Sequence, residues 1–480
     1  MKIPGEVPIG RRIPIIRHGM FFSSLIFLAM NIAFAQPVPF KHIVYIIQEN
    51  RTPDNLFGSN PNFEPGVDIA TFGMNSKGEK IPLTALPMAN CYDLDHRHPA
   101  FVIQYNKGKM DGSDLNHISP SPGCVVPPNP QFKYVDNSDG TVQPYFDMAK
   151  QYAFGNRMFQ TQQAASFPAH QFLIAGTSAP TTNSKLFASG NVKAEPAGCI
   201  SPPGATVTVV DEEGDETTNA PIYPCFEHAT LTDLLNEAKV TWKFYAPNAG
   251  SIWTGPNAIS HICDPKTVNG ELVCTGQDWV NNVVLGNTNV LFDIEECKLP
   301  AVSWVIPSLK NSDHPKTTDG SGPAWVASVV NAIGTNPPCS GTGEIYWKDT
   351  AIIITWDDWG GFYDHVVPFR IGQPNGWGKG FTYGFRVPLL VVSAYTPAGY
   401  VDNTNRDFGS VLKFIETNFG APGKPLGPIG PGIYADAYAT DSWQPFFSLT
   451  SPRNFQKIDA KFSARGFYMY WRTWWKRKWK

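Results

Sequence analysis

The sequence predicts an α/β fold, with a doubly wound, mostly parallel central sheet flanked by helices. Two short runs rich in β-branched residues, at 42–47 and 351–356, are almost continuously apolar. Strands that are buried on both faces of a parallel sheet have this pattern. Segments with apolar residues three to four positions apart lie between runs of this kind. Strands that alternate with helices over most of a chain indicate a doubly wound sheet.

The remaining elements follow the same alternation. Three further apolar runs predict strands at 242–245, 301–306 and 387–392. Three segments with helical spacing predict helices at 231–238, 325–333 and 408–416. The stretch 178–225 is rich in Pro, Thr, Gly and Asn, and both it and 255–290 are predicted as surface insertions. No change of composition divides the chain further, so we expect one main domain at 36–455.

The N-terminal 35 residues have the composition of a secretion signal. Basic residues precede an apolar segment at 20–33, and Ala33-Phe34-Ala35 supplies a small-residue cleavage site. We therefore expect a signal peptide at 1–35 and a secreted or periplasmic protein. The alternative is an anchor that stays uncleaved.

All eight cysteines follow this segment. An even count in an exported chain favours disulfides, and the absence of a C-x-x-C motif argues against a zinc–thiolate site. The sequence does not define the pairing. Pairs of nearest neighbours such as Cys263 and Cys274 would each close a local loop.

The charge distribution separates the body of the chain from its end. The net charge is −3 at pH 7, although the last twenty residues hold seven basic side chains and no acidic one. An acidic body argues against nucleic-acid binding. The tail at 456–480 is basic and aromatic, which suits contact with an anionic membrane surface. The alternative is an extension without a function.

Acidic and amide side chains directly follow the two opening strands. Glu49 and Asn50 follow the first strand, and Asp357 and Asp358 follow the second. Since ligands bind at the carboxyl ends of the strands in open α/β sheets, these two pairs can meet at one edge. Three carboxylates and one amide oxygen would form an all-oxygen site for one divalent cation of unidentified kind. The alternative is that each pair is the solvated start of a loop.

Four segments with such polar groups resemble a known family in their order and spacing. They are residues 48–58, 95–112, 165–177 and the pair 312–315 with 356–366. The chain resembles the bacterial phosphoesterase family of phospholipases C and acid phosphatases, which belongs to the alkaline-phosphatase-like superfamily. The most specific motifs are Glu-Asn-Arg after the first strand and Asp-Asp-x-Gly-Gly-Phe-Tyr-Asp-His-Val after the later one. The resemblance extends from about residue 42 to residue 447.

This resemblance implies roles for the two acidic pairs and for one serine. It assigns metal binding to Glu49, Asn50, Asp357 and Asp358. Ser166 takes the place of the family's Ser or Thr nucleophile. The chemistry agrees with this role, because a hydroxyl at a helix N-terminus beside a cation loses its proton more readily. The residues alone leave a second interpretation of Ser166, in which it caps the following helix.

The resemblance also implies phosphate contacts for two histidines. His96 and His314 match histidines that face the phosphate, where a protonated imidazole can neutralise charge or protonate the leaving oxygen. His261 is a further candidate from the middle of the chain.

Three more residues have two interpretations each. Arg51 either binds phosphate or pairs with Asp54. Asp364 and His365 either support the metal ligands from behind or stabilise their own loop.

Together these features predict a secreted, metal-dependent phosphoesterase that acts through a phosphoserine. The main interpretation is a phospholipase C-like enzyme on phosphodiesters, with phospholipids among its candidate substrates. One alternative is an acid phosphatase on phosphomonoesters. An alternative of another class is a catalytically silent surface or binding protein.

Overall fold

A computed structural model describes residues 40–369, 382–431, 434–439 and 442–460. The predicted signal peptide and residues 461–480 of the predicted tail lie outside these ranges, so both remain predictions. No helix in the described ranges combines the length and the apolar character that a membrane crossing needs.

Within the described ranges the central sheet has eight strands. In chain order they are β1 His42–Gln48, β2 Ala153–Gly155, β3 Trp242–Ala246, β4 Val283–Leu285, β5 Val302–Val305, β6 Thr350–Trp356, β7 Leu389–Ser393 and β8 Tyr400–Asp402. Their order across the sheet is β4-β3-β5-β1-β6-β7-β2-β8. All neighbours are parallel except that β7 runs antiparallel to both β6 and β2. The predicted α/β class with a mostly parallel sheet is therefore confirmed.

Twelve α-helices lie in the described ranges. They are α1 Pro53–Phe57, α2 His98–Tyr105, α3 Gln143–Gln151, α4 Ser166–Ala175, α5 Leu231–Glu237, α6 Ser260–Cys263, α7 Gln277–Asn282, α8 Asn289–Glu295, α9 Gly322–Thr335, α10 Tyr346–Asp349, α11 Phe408–Phe419 and α12 Ala435–Tyr438. In one group of helices, α3, α8 and α10 each pack against α9. In a second group, α4 packs against α5 and α11, and α11 also packs against α12. All five strands and all three helices predicted from apolar spacing are present.

The two opening strands lie in the middle of this sheet. Every residue of β1 and of β6 is buried. Burying one large aliphatic side chain stabilises a fold by about 1.5–3 kcal/mol, which explains why these runs are apolar on both faces. Their parallel register places Gln48 opposite Trp356, so the residues that follow the two strands emerge side by side.

Short strands outside the central sheet build the periphery. Within the described ranges, a three-stranded antiparallel sheet lies in the predicted insertion at 178–225, and its strands are Phe187–Ala188, Val207–Val210 and Glu216–Ile222. Four two-stranded pairs lie elsewhere in the described ranges. They are Phe72–Met74 with Lys80–Pro82, Thr84–Leu86 with Lys133–Val135, Tyr92–Leu94 with Ile118–Pro120, and Pro265–Val268 with Glu271–Cys274. The prediction that 255–290 is wholly an insertion is wrong, because its residues 283–285 form β4 of the central sheet.

Four disulfides hold the loop-rich parts of the chain. They join Cys91 to Cys124, Cys199 to Cys225, Cys263 to Cys274 and Cys297 to Cys339. Each pair consists of neighbours along the sequence. The expectation that the eight cysteines form disulfides is confirmed, and the pairing that the sequence left open is between nearest neighbours.

Candidate active site

The carboxyl ends of β1 and β6 bring the two acidic pairs together. The backbone N–H of Asn50 donates to Asp357 Oδ1 over 3.0 Å, and the N–H of Asp358 donates to the same oxygen over 2.7 Å. All four side chains are fully buried. Gly360 closes this turn with φ +63°, and a Cβ there would lie 2.2 Å from the carbonyl oxygen of Asn50. Only glycine allows that approach.

Several polar atoms of this cluster are buried without a hydrogen-bond partner among the described residues. Glu49 Oε2, Asp357 Oδ2 and both amide atoms of Asn50 have no hydrogen-bond partner in the described part of the chain. Burial and the charge of Asp357 raise the pKa of both Glu49 and Asp358 well above their usual ranges. Buried carboxylates in contact need a compensating positive charge. The carboxylate and amide oxygens of these residues are of the kind that suits a hard divalent cation.

Ser166 contacts this cluster from α4. It is the first residue of α4, and its Oγ donates to Asp358 Oδ2 over 3.1 Å. The helix cap is Ala165, which makes no side-chain cap. The interpretation of Ser166 as the capping residue is therefore wrong. Its hydroxyl lies at the positive end of the helix dipole, beside a carboxylate that can accept its proton.

His170 belongs to the same cluster, and the sequence analysis missed it. It lies one turn after Ser166 on α4, and its Nε2 is 3.0 Å from Glu49 Oε1. Burial lowers the pKa of His170 to about 4, which keeps the ring neutral. Ligand atoms of Glu49, His170 and Asp357 all lie within 4.8 Å of one another. The spacing of four from Ser166, which puts both side chains on one helix face, was the available signal.

His96 and His314 form a pair near this cluster. Their ring centroids are 5.8 Å apart, and His96 Nδ1 is 2.8 Å from the carbonyl oxygen of Leu94. Burial lowers the pKa of His96, but the charges of Asp358 and Asp93 raise it to about 9. Burial and the neighbouring His96 lower the pKa of His314. Two groups whose pKa values move apart can act as a proton donor and a proton acceptor.

A cavity of about 1100 Å³ opens beside these groups. His314 lines it together with Trp253, and their ring centroids are 6.0 Å apart. Asn191 lines another part of it and accepts the N–H of Phe167 over 2.9 Å, directly after Ser166. The cavity therefore borders His314 directly, and it borders the start of α4 through Asn191.

Arg51 has partners other than the two that the sequence suggested. Its guanidinium donates to the carbonyl oxygens of Asp313 (2.8 Å) and Met88 (3.3 Å) and to Asn55 Oδ1 (3.1 Å). Asp54 instead pairs with His365 and Arg386, so the Arg51–Asp54 alternative is wrong. The side chain of Arg51 is fully buried and offers no accessible surface to a substrate phosphate.

Asp364 and His365 lie in an ion-pair network of their own. Arg386 donates to both oxygens of Asp364, over 2.8 and 2.9 Å. The ring of His365 bridges Asp54 and Asp68, with distances of 2.8 and 2.9 Å. These contacts tie the loop after β6 to α1, which contains Asp54, and to the segment after α1, which contains Asp68. The interpretation that they stabilise a loop fits them better than direct support of the metal ligands.

Replacing His365 by alanine should destabilise the protein in acid more than in alkali. Burial lowers the pKa of His365, but the hydrogen bond to Asp54 and the charges of Asp54 and Asp364 raise it to about 9. A raised pKa gives a stabilisation that is complete below the unfolded value of 6.5 and disappears as the pH rises through about 9. We expect a loss of about 2 kcal/mol near pH 6, allowing for partial solvent screening.

Urea unfolding at about pH 6 and about pH 10 measures this difference. The exposed His117 provides the control, His117→Ala, which should leave the free energy of unfolding unchanged at both pH values. An equal loss for His365→Ala at both pH values would show that the ring acts only through packing.

His261 does not join the cluster. Its Nδ1 is 2.8 Å from Glu227 and its Nε2 is 3.2 Å from Asp233. Both ring nitrogens therefore face carboxylates near the start of α5. The inclusion of His261 among the site residues is corrected by this placement.

The comparison with protein families agrees with the motifs. The sequence model of the Phosphoesterase family matches residues 40–422. The chain belongs to the phosphoesterase family. The resemblance predicted from the sequence is thereby confirmed, and the family match covers both acidic pairs, Ser166 and the two paired histidines.

Two relatives named as phospholipases C are similar to this chain over most of its length, and a third is similar over about a third of it. It is 25% identical to the non-hemolytic phospholipase C of Pseudomonas aeruginosa over 86% of the chain and 58% of the relative. It is 29% identical to phospholipase C A of Mycobacterium tuberculosis, over 86% of the chain and 78% of the relative. It is 28% identical to non-specific phospholipase C6 of Arabidopsis thaliana, over 34% of the chain and 33% of the relative. The chain thus spans somewhat more than half the length of the Pseudomonas relative.

Among solved structures, a similar one is a protein of the alkaline phosphatase superfamily from Vibrio parahaemolyticus. The identity is 11%, the TM-score is 0.32, and the match covers 79% of this phosphoesterase and 68% of that chain. The α/β class itself is established by the strand order and directions of the central sheet.

Proposed function

We propose that the protein is a secreted, metal-dependent phosphoesterase that hydrolyses phosphodiesters in the manner of a phospholipase C. The observation that carries this proposal is the contact between Ser166 and Asp358 inside the cluster of unpartnered oxygens. The relatives named as phospholipases C support the reaction class. Four disulfides and the predicted signal peptide support export.

One divalent cation fits the cluster. Glu49 Oε2, Asn50 Oδ1 and Asp357 Oδ2 would hold it, together with Asp358. When bound, such a cation supplies positive charge that polarises phosphoryl oxygens and makes a neighbouring hydroxyl more acidic.

The residues of the chain account for the two chemical steps. In the first step Ser166 Oγ gives its proton to Asp358 and forms a bond to phosphorus, while the bond to the leaving oxygen breaks and protonated His96 gives that oxygen a proton. In the second step water attacks the phosphoserine and gives a proton to His96. The bond from Ser166 to phosphorus breaks, and Asp358 returns the proton to the serine.

The cavity supports a diester as the substrate. A phosphodiester must place substituents on two phosphate oxygens, and the cavity of about 1100 Å³ adjoins both His314 and the start of α4. Its walls combine the aromatic Trp253 and the apolar Leu309 with Lys193 and Lys310. A mixed lining of this kind accommodates a substrate with both apolar and charged parts.

Turnover of three substrates tests the proposal. Bis-p-nitrophenyl phosphate, p-nitrophenyl phosphate and vesicles of phosphatidylcholine are assayed with Mn²⁺ and with excess chelator. We expect kcat/KM for the diester to exceed that for the monoester at least about tenfold, which is about 1.4 kcal/mol of transition-state free energy, with loss of activity in chelator. Faster hydrolysis of the monoester would identify an acid phosphatase. No hydrolysis of any substrate would identify a catalytically silent protein.

A further inference from the structure

His170 is a buried imidazole that neither step of the proposed reaction uses. It has 1% of its surface exposed and contacts Glu49, which is also fully buried. Glu49 presents its two oxygens to different surroundings. Its Oε1 lies 3.0 Å from His170 Nε2, whereas its Oε2 has no partner in the described part of the chain. One oxygen is thus held and the other is left for the cation.

We propose that His170 is a positioning residue that fixes the carboxylate of Glu49 toward the bound cation. The inference rests on the proposed function, because it requires a cation at the cluster. A carboxylate that accepts a hydrogen bond at one oxygen cannot rotate freely, so its other oxygen stays aimed at the metal. Since an ionised carboxylate only accepts, the hydrogen of the ring lies on Nε2.

The position of His170 on α4 gives the contact a second consequence. Ser166 and His170 are four residues apart and lie on the same helix face. Ser166 contacts Asp358, which follows β6, and His170 contacts Glu49, which follows β1. The helix is therefore joined to both central strands at the level of the cluster. Ser166 keeps its own bond to Asp358, so losing the His170 contact leaves the nucleophile joined to the cluster.

The atoms without hydrogen-bond partners favour a positioning role for His170 over direct binding of the cation. Oxygen atoms of Glu49, Asn50 and Asp357 are unpartnered, whereas His170 Nε2 has Glu49 Oε1 as its partner. Although ligand atoms of Glu49, His170 and Asp357 lie within 4.8 Å of one another, under this proposal Nε2 stays bonded to Glu49 and does not bind the cation. The ligands of the cation are then all oxygen.

Mn²⁺ titration of the chelator-treated full chain tests the inference. We expect His170→Ala to weaken the Mn²⁺ affinity about 10- to 100-fold, as loss of a partner behind a metal ligand does. His170→Gln keeps a side-chain N–H donor and should recover part of this loss. The matched control is His228→Gln, since His228 is similarly buried and, among the described residues, hydrogen-bonds to the carbonyl oxygen of Ala179 and to none of the cluster residues. The control should bind Mn²⁺ within about twofold of the wild type.

Two further measurements define the role. At saturating Mn²⁺ the kcat of His170→Ala should return to within about fivefold of the wild type, because the residue acts through the metal ligand and contacts no substrate. Electron spin-echo spectra of the Mn²⁺-loaded wild type should show no directly bound nitrogen.

The outcomes distinguish the two proposals. If the wild type binds no Mn²⁺, the metal-dependent function fails and this inference fails with it. If the wild type binds Mn²⁺ and His170→Ala binds it equally well, only the role of His170 is overturned. A directly bound nitrogen that disappears in His170→Ala would make His170 a ligand, and would also overturn the inference.

Discussion

Ser166→Ala is expected to abolish turnover while leaving the fold and the metal content in place. A covalent route requires a hydroxyl at this position, and Ser166 Oγ is already 3.1 Å from the carboxylate that takes its proton. Removing a nucleophile that forms a covalent intermediate lowers kcat by at least about 10³-fold. The fold should tolerate the change because Ala165, and not Ser166, occupies the cap position of α4.

The measurement is kcat at saturating substrate and saturating Mn²⁺. Ser166→Thr should retain part of the activity, since threonine keeps the hydroxyl, and orthovanadate should inhibit the wild type. The matched control is Ser328→Ala, because Ser328 is a buried helical serine whose hydroxyl donates to the carbonyl oxygen of Trp325. A kcat for Ser166→Ala within about tenfold of the wild type, or about 1.4 kcal/mol, would exclude Ser166 as the nucleophile.

The sequence was sufficient to predict the core of the sheet and the acidic half of the site. β1 and β6 are apolar throughout because both of their faces are buried. The parallel register of such strands then dictates that the residues after them meet at one edge. Glu49 and Asp357 could therefore be placed together, although 308 positions separate them in the numbering.

The rest depended on contacts that no local pattern encodes. β2, β4 and β8 have three residues each, too few to show a period. The partner of His170 is 121 positions away, and that of Arg51 is the backbone of a loop 262 positions away. His261 was assigned by its place in the chain order, but its ring turns toward Glu227 and Asp233. Side-chain direction at such places follows from tertiary packing, which spacing alone does not determine.

Asp357→Asn is expected to remove both the cation and the activity without disrupting the turn. Asp357 Oδ1 accepts two backbone N–H groups, and an asparagine Oδ1 can keep both bonds. The other oxygen, which has no partner in the described residues, becomes an amide nitrogen that cannot bind a cation. We expect kcat/KM to fall at least about 10³-fold, since the cation supplies several kcal/mol of charge stabilisation.

The same substitution should stabilise the protein when no metal is bound. A variant that loses activity and yet gains stability is the specific result that this prediction requires. The charge of Asp357 raises the pKa of Glu49 and of Asp358, so removing it relieves repulsion among buried carboxylates. In chelator the variant should be more stable than the wild type by about 1–3 kcal/mol. Added Mn²⁺ should raise the melting temperature of the wild type but not that of Asp357→Asn, because a ligand stabilises the state that binds it.

Thermal melts with chelator and with Mn²⁺ measure the change in stability, and the kcat/KM assay measures the loss of activity. Asp293→Asn is the matched control, since Asp293 is a buried aspartate whose partners are Lys243 and Tyr245. It should lose stability under both conditions and keep its response to Mn²⁺, because removing one partner of a buried ion pair leaves the other uncompensated. An Asp357→Asn variant that responds to Mn²⁺ like the wild type would show that Asp357 does not bind the cation. The cation would then have to be sought at other ligands. A variant that is less stable than the wild type in chelator would show that repulsion among the buried carboxylates does not destabilise the metal-free protein.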